Sequence, residues 1–266
     1  MQKKLLLMLS CVLVFCLTGS TLAVNVWWYG ADDDGDWFNG NNYSNSAVPL
    51  SDTGVNWSVS GLSKAPIDIS SGAALCSSLW SYNESNTHTT MTISGGSITG
   101  TGYLLTGTGS LSGKSTFYLE DGTITFPRVI VGHNIYSGAT DKGYLHMTGG
   151  TLNATSSLEL HKADSLGQLN LYGGTINAGV LYMDTGHLLD ITEGVMYLDG
   201  DQTDAGDDLQ TWITDDWIIA YGGAGTVMSE YNFGSDQTKV WGIPEPATIA
   251  LLGLGGLVLM RKRKTT

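Results

Sequence analysis

The middle of the chain is built from short segments in which apolar and polar residues alternate. Each segment ends in a turn that contains glycine and is followed by a second short apolar segment. Five copies of this pattern align, with first residues 26, 28, 24 and 20 residues apart: Met91, Phe117, Leu145, Leu169 and Leu189. Alternation with a period of two is typical of β-strands. Each copy therefore predicts a strand, a turn and a second strand.

A further apolar stretch follows most copies, at residues 103–105, 129–131, 158–160 and 180–183. Two or three short strands in each interval are typical of a solenoid coil, because one coil buries its apolar face only when neighbouring coils stack on it. The sequence thus predicts an all-β fold, a right-handed parallel β-helix over residues 83–198. This architecture resembles the pectin-lyase-like and autotransporter-type solenoids. A β-sandwich or jelly roll is the alternative, since regular short strands fit those folds too.

The alignment also predicts which side chains point inward, because successive side chains on a strand face opposite sides. Three columns should stack inside: Met91, Phe117, Leu145, Leu169 and Leu189; Ile93, Leu119, Met147, Leu171 and Ile191; and Ile98, Ile124, Leu152, Ile176 and Met196. Two columns should face outward: Thr92, Tyr118, His146, Asn170 and Asp190; and Ser94, Glu120, Thr148, Tyr172 and Thr192. The glycine after each first strand is expected at a corner that needs positive φ: Gly96, Gly122, Gly150, Gly174 and Gly194.

The segments on either side of the repeats have a different composition. Residues 24–82 are predicted to form an N-terminal cap and the first strands, because an open solenoid end exposes core and strand edges. The aromatic residues there are expected to fill this cap rather than bind a ligand: Trp27, Trp28, Trp37, Trp57 and Trp80. Residues 199–243 are predicted to supply the strands that close the other end.

The first 23 residues have the pattern of a secretory signal peptide. Lys3 and Lys4 precede an apolar stretch at residues 5–17, and small residues lead up to Ala23. Cleavage after Ala23 by signal peptidase, following recognition by the export machinery, is therefore expected. The mature chain would then keep Cys76 as its single cysteine, which precludes an intramolecular disulfide.

The last 23 residues, 244–266, combine three parts: Pro244, Glu245 and Pro246; an uncharged apolar run at 247–260; and the basic group Arg261, Lys262, Arg263 and Lys264. The two prolines fix φ and lack an N–H group, so this part is expected to be extended and not to continue a sheet or helix. The apolar run predicts a short C-terminal transmembrane helix of about 21 Å, less than the ~20 residues that span a bilayer comfortably. The basic residues would stop it at the cytoplasmic side.

This three-part tail resembles the PEP-CTERM sorting domain, whose members are processed by the exosortase system. Pro244, Glu245 and Pro246 match its signature. The resemblance implies export, transient anchoring in the inner membrane and cleavage near the signature by an exosortase-type enzyme. It further implies display on the cell surface or outer membrane, or release into an extracellular matrix. It implies no activity for the body, because bodies attached to this tail are diverse.

Charge narrows the choice of partners. Of 12 basic residues, 2 precede Ala23 and 4 follow residue 260, so the body has 6 basic against 25 acidic residues, a net charge of −19. A nucleic-acid partner is not expected, because binding phosphates requires Lys and Arg. No cofactor is predicted. Asp32, Asp34 and Asp36 are candidate calcium ligands at a glycine turn, although Tyr43 stands where an EF-hand loop needs its acidic twelfth residue.

The sequence offers no catalytic set. Glu120 and Asp190 are carboxylates expected to lie three rungs, or about 14 Å, apart, which is too far for glycoside hydrolysis. We therefore predict an exported, non-catalytic protein of the cell surface or extracellular matrix. The alternative is a carbohydrate-binding or polysaccharide-degrading β-helix protein with an exopolysaccharide as partner. Tyr118, His146 and Tyr172 are then the candidate glycan contacts.

Overall fold

A computed structural model describes residues 25–30, 34–58, 66–83, 88–109, 113–133, 142–160, 166–204 and 206–245. Several of the predicted features lie outside these ranges: the signal peptide with Ala23, the calcium candidate Asp32, Pro246, the apolar run and the basic group that begins at Arg261. Within the described residues, no helix is both long enough and apolar enough to cross a bilayer.

The described residues are almost entirely β-structure. One α-helix, α1 (Asp208–Thr214), and two 3₁₀ turns (Gly40–Asn42 and Tyr221–Gly223) are the helical elements in these ranges. The strands, in chain order, are β1 Asn25–Trp28, β2 Gly54–Ser58, β3 Ile67–Ile69, β4 Ala73–Cys76, β5 Ser78–Asn83, β6 His88–Ile93, β7 Ser97–Gly100, β8 Tyr103–Gly109, β9 Lys114–Leu119, β10 Thr123–Val131, β11 Lys142–Met147, β12 Thr151–Leu160, β13 Leu166–Leu171, β14 Thr175–Met183, β15 Leu188–Ile191, β16 Val195–Asp199, β17 Ile218–Ala220, β18 Gly225–Asn232 and β19 Gln237–Pro244.

The strands wind into a parallel β-solenoid of about six turns. One sheet, here called the second sheet, contains β3, β6, β9, β11, β13, β15 and β17, in that spatial order. The first sheet contains the remaining strands. The long strands β10, β12 and β14 bend within it, with register shifts after Phe126 and Ala154. Parallel pairing of strands one coil apart confirms the β-helix and excludes the β-sandwich and jelly roll.

The predicted columns are confirmed by the strand register. In the second sheet Met91 pairs with Phe117, then Leu145, Leu169 and Leu189 follow, and every one of these side chains is buried. The columns that begin at Ile93 and Ile98 are also in register and fully buried. Burying apolar surface in continuous columns is what stabilises stacked coils. The Cys76 thiol is part of this core, and its burial raises the pKa to about 12.

The internal columns begin one coil earlier than the five aligned copies. Ile67 pairs with Met91, Ile69 with Ile93, and Ala74 with Ile98, so β3 and β4 form a further rung of the same columns. The alternation of isoleucine and polar residues before Gly72 is the sequence signal of this rung, which the alignment missed because its second strand starts with alanines.

The corner glycines have two different structural reasons. Positive φ angles of 85°, 68° and 80° occur, as predicted, at Gly122, Gly150 and Gly174. The prediction is wrong for Gly96 and Gly194, whose φ angles are not positive. A Cβ at Gly96 would lie 2.7 Å from Cγ2 of Ile69, and one at Gly194 would overlap the Leu171 side chain. Close packing against the preceding coil, rather than dihedral freedom, requires glycine at these two corners.

Two of the five tryptophans assigned to the cap are buried at the N-terminal end of the core, together with a tyrosine, while Trp27 and Trp80 are half-buried. Trp28, Trp37 and Tyr43 are buried, and the Tyr43 ring contacts both indoles edge-on at centroid distances of 5.1 and 5.9 Å. The Tyr43 hydroxyl donates to the Trp37 carbonyl oxygen at 2.9 Å. Trp28 and Tyr43 also form an antiparallel bridge, which pairs part of the β1 edge.

The C-terminal end is closed by an antiparallel hairpin and α1. β19 pairs antiparallel with β16 on one side and with β18 on the other, which ends the parallel winding. Leu209 and Trp212 of α1 are buried against this end of the core. The expectation that Pro244 stands outside any sheet is wrong. Pro244 is the last residue of β19 and pairs with Gly225, which a proline tolerates at the end of a strand.

Candidate functional site

The outer surface of the second sheet brings the three candidate glycan contacts together. Tyr118 of β9 and His146 of β11 are register partners on adjacent rungs, and Tyr172 follows β13 directly. The ring centroid of His146 lies 5.2 Å from that of Tyr118 and 6.4 Å from that of Tyr172, and the interplanar angles are 18° and 3°. The side chains of Tyr118 and Tyr172 are 36 % and 44 % exposed. The sequence therefore identified a real surface cluster.

Sequence reasoning missed a fourth ring of this cluster, Tyr144. It precedes His146 by two residues on β11, so both side chains point outward from the same strand. Its ring centroid lies 6.0 Å from that of His146 at an interplanar angle of 5°. We refer to Tyr118, Tyr144, His146 and Tyr172 as the aromatic row. The i, i+2 spacing within the repeat could have revealed Tyr144.

Hydrogen bonds fix the imidazole at the centre of the aromatic row. Asn170 Nδ2 lies 2.9 Å from His146 Nδ1, and Gln168 Nε2 donates to Asn170 Oδ1 at 3.0 Å. Because Asn170 Oδ1 is occupied as an acceptor, its amide nitrogen donates to Nδ1, which assigns the proton of neutral His146 to Nε2. Asn170 faces outward as predicted, yet these neighbours cover it almost completely.

Electrostatics keep His146 neutral at pH 7. Burial, and then the nearby Lys114 ammonium, lower the pKa of His146 below its ordinary value of 6.5. The neutral imidazole is stacked with tyrosine rings, so this surface combines aromatic rings with Nε2–H and phenol hydroxyls. Surfaces that combine aromatic faces with polar groups at their edges suit ligands of mixed polarity, such as sugar rings.

The carboxylates of the N-terminal cap are engaged within the protein. Asp34 Oδ1 accepts hydrogen bonds from the Asp36 amide at 3.0 Å and from Asn42 Nδ2 at 2.7 Å, and Oδ2 accepts from Asn39 Nδ2 at 2.7 Å. These bonds, led by the one from Asn39, lower the pKa of Asp34. Asp36 Oδ1 accepts from the Phe38 amide. Within the described ranges no group of three or more His, Cys, Asp and Glu side chains is arranged to hold a metal ion.

A partly buried ion pair lies on the outer side of the first sheet. Arg128 Nε and Nη2 donate to Glu159 Oε1 and Oε2, both at 2.7 Å, and Ser157 Oγ donates to Oε1 at 2.5 Å. The guanidinium also lies over the Tyr103 ring, 5.1 Å from its centroid. The hydrogen bonds to Glu159 raise the pKa of Arg128. Sequence reasoning missed this group because Arg128 and Glu159 belong to different coils.

The two outward carboxylates considered for catalysis do not form a pair. Glu120 lies just past the end of β9, in the column next to the one that contains Asp190 of β15. Asp190 Oδ1 accepts a hydrogen bond from the Gly222 amide at 3.1 Å, which ties it to the C-terminal turn. The two side chains are thus held in different environments.

The C-terminal signature starts inside the folded body. Pro244 ends β19, and the Glu245 amide donates to the Ala224 carbonyl oxygen at 3.3 Å. The Glu245 side chain is exposed, as the sequence predicted. Only residue 246 separates this anchored position from the start of the apolar run at residue 247. The body and the tail are therefore joined without a linker.

Comparison with known proteins identifies this tail and nothing else. No curated protein and no solved structure matches the chain. Residues 242–264 match the profile of the PEP-CTERM protein-sorting motif. This motif implies exosortase-dependent export and sorting to the cell surface. The chain is thus a parallel β-solenoid that carries a PEP-CTERM sorting motif at its C-terminal end.

Proposed function

We propose that this chain is an exported, non-catalytic protein of the cell surface or extracellular matrix. The observation that carries this proposal is the direct joining of the sorting motif to a solenoid that is closed at both ends. A body built this way is a rigid unit delivered outside the cell, and its net charge of −19 keeps it soluble there.

The environments of its polar groups support a structural role. Glu159 is bound by Arg128 and Ser157, and the Asp34 carboxylate accepts hydrogen bonds from its own cap. His146 is held in one tautomer by Asn170 and has a lowered pKa. A general acid or base needs an exchangeable proton within reach of a substrate. These partners occupy the Glu159 and Asp34 carboxylates instead.

In this proposal both termini are removed during export. Signal peptidase cuts after Ala23, and the apolar run at 247–260, stopped by Arg261–Lys264, holds the protein in the inner membrane. An exosortase-type enzyme then cuts near Pro246. Cleavage on the C-terminal side of Glu245 leaves β19 and its pairing with β18 intact.

Fractionation combined with intact-mass measurement tests the proposal. The surface or released form is expected to begin after Ala23 and to lack the apolar run. Replacing Pro244, Glu245 and Pro246 with alanine should leave a full-length tail in the inner membrane. Ser235→Ala, an exposed change in the β18–β19 turn, is the matched control and should be processed normally. A surface-exposed wild-type chain that retains residues 247–266 would contradict the processing step.

Glycan binding is a second candidate function, favoured by the near-parallel rings of the aromatic row. Tyr118→Ala combined with Tyr172→Ala should weaken retention of the protein in glycan-containing affinity gels. Tyr182→Ala, which removes a 48 % exposed tyrosine from the other sheet, is the control and should have no effect. Shortening of the glycan during incubation would show instead that the body degrades polysaccharide, and would overturn the non-catalytic assignment.

A further inference from the structure

Two of the six basic residues of the body lie side by side next to the aromatic row. Lys114 of β9 and Lys142 of β11 are register partners on adjacent rungs, and His88 of β6 pairs with Lys114 on the other side. Lys142 and His88 are exposed and Lys114 is half-buried. A body of net charge −19 thus concentrates cationic side chains in one column of one sheet.

This arrangement costs stability in the unliganded protein. Like charges directly opposite each other on neighbouring strands destabilise a sheet, and the two lysines are about 4.8 Å apart at the backbone. Contact with the Tyr144 ring offsets part of this cost at Lys114, and positions that break a local rule are expected at functional sites. An anion bound between the two ammonium groups would replace their repulsion with two favourable charge-assisted interactions.

The lysine column is continuous with the aromatic row. The Lys114 ammonium lies over the Tyr144 ring, 4.3 Å from its centroid, and Tyr144 is the neighbour of His146. Lys114 also contributes to the lowered pKa of both His88 and His146, after burial in each case. The positive potential therefore extends along the strand direction from the lysines to the middle of the rings.

The described carboxylates of this surface lie at its margins. Glu120 is six residues beyond Lys114 along the strand direction, about 20 Å away, but only two residues, about 7 Å, beyond Tyr118 of the aromatic row. Asp68 and Asp190 share the column of His146 but lie three and two rungs from it, about 14 and 10 Å. The separation of Glu120 from Lys114 and those of Asp68 and Asp190 from His146 exceed the Debye length of about 8 Å at physiological ionic strength, whereas Glu120 lies within that length of Tyr118. Asp68 also accepts a hydrogen bond from Ser94, and Asp190 accepts one from Gly222.

We propose that the lysine column and the aromatic row together form a binding site for an acidic polysaccharide, whose sugars carry carboxylate or sulfate groups. Lys114 and Lys142 contact the anionic group, while the rings pack against the sugar. This inference deepens glycan binding, the second function proposed above, and rests on it. A nucleic acid fits less well, because two lysines on an acidic body neutralise too few phosphates.

Affinity electrophoresis of the protein in gels containing cellulose derivatives tests this inference. Carboxymethylcellulose, cellulose sulfate and hydroxyethylcellulose share one backbone and differ in charge. Wild-type protein should bind one or both of the anionic polymers about tenfold more tightly than the neutral one, and added salt should weaken this preference. The difference between the two anionic gels shows whether carboxylate or sulfate is preferred.

The double variant Lys114→Gln, Lys142→Gln should lose the anionic preference, with a decrease of about tenfold, and keep its affinity for the neutral polymer. Lys239→Gln is the matched control, because Lys239 also lies over an aromatic ring, 4.8 Å from the Trp241 centroid, but on the other sheet. It should bind like the wild type. Circular dichroism of each variant checks that the solenoid is folded.

Each other outcome overturns a distinct part of the proposal. Equal binding to charged and neutral polymers, or an unchanged preference in the double lysine variant, removes the acidic site and leaves glycan binding in place. Absence of binding to all three polymers removes glycan binding and the acidic site together. If a single-stranded oligonucleotide bound as tightly as the anionic polymers, the site would be one for polyanions in general and not for acidic polysaccharides.

Discussion

The two residues of the partly buried ion pair on the first sheet should contribute unequally to the free energy of unfolding. Glu159 has a side-chain exposure of 3 %, whereas that of Arg128 is 39 %. Removing the arginine therefore leaves a carboxylate that water reaches poorly, while removing the negative charge leaves a guanidinium that water can hydrate. The two single substitutions at one salt bridge should thus have different effects on the free energy of unfolding.

The magnitudes follow from this difference in burial. Breaking a buried ion pair from one side costs about 3–5 kcal/mol, and the partial exposure of Arg128 places Arg128→Met near the lower end, about 3 kcal/mol. Glu159→Gln keeps the side-chain shape but replaces one acceptor oxygen with an NH2 donor, so one bond from Arg128 is lost and the other weakened, which costs about 1–2 kcal/mol. The double variant should cost less than the sum of the two, because it leaves no unpaired charge in a covered position, whereas Arg128→Met alone does.

Urea unfolding of wild type and the three variants measures these differences. Intrinsic tryptophan fluorescence and far-ultraviolet circular dichroism should give coincident transitions, a necessary check because solenoids can unfold in parts. The free energies then come from the midpoints at a common slope. Lys239→Met, which removes a charge that lies over a ring, is the control and should change stability by less than about 0.5 kcal/mol. Equal costs for the two single variants, or additive costs in the double variant, would refute this reasoning.

Three further predictions concern the core, a corner and the aromatic row. Leu145→Ala empties the middle of a buried column and should cost about 2–5 kcal/mol in urea unfolding; a cost below 1 kcal/mol would mean that the columns do not pack tightly. Gly194→Ala places a methyl group against Leu171 and should cost about 1–3 kcal/mol, whereas Gly234→Ala, in the exposed hairpin turn, should be nearly neutral; the reverse order would contradict the packing explanation. The folded-state pKa of His146 is lowered. The stability that neutral His146 contributes to the fold is therefore fully present above the unfolded-state pKa of about 6.5, and it is lost as the pH falls through the folded-state pKa. His146→Gln should therefore reduce the fall in Tm between pH 7.5 and 5, and an unchanged fall would show that other groups cause it.

Much of the candidate site could be predicted because the repeat alignment is also a spatial alignment. Once Tyr118 and His146 occupied the same position of successive copies, parallel stacking brought them into contact. Tyr172 lies one rung later but in the neighbouring outward column, two residues past Asn170, the register partner of His146. The lysine column obeys it too, but its members precede the aligned segment by three residues. Extending the alignment backwards by three residues places His88, Lys114 and Lys142 in one column, so this column could also have been predicted.

Other features depended on contacts between residues that are distant in the sequence. Arg128 and Glu159 are 31 residues apart and meet because a register shift in β10 and β12 sets how their side chains align. Pro244 looked like the start of a separate tail, since proline has no N–H group to donate. Pro244 nonetheless pairs with Gly225 of β18 at the end of the hairpin, where the strand tolerates the missing N–H donor.

The sequence by itself determined the period of the coil, the three internal columns and the C-terminal sorting motif. These features are encoded locally, in alternation, turns and the order of apolar and charged segments. The tertiary structure alone decided how the ends close, which corners need glycine for packing rather than for φ, and which polar groups share a surface. Those features depend on contacts between side chains of different coils and caps. Such contacts join residues that are distant in the sequence, so no single segment of the chain specifies them.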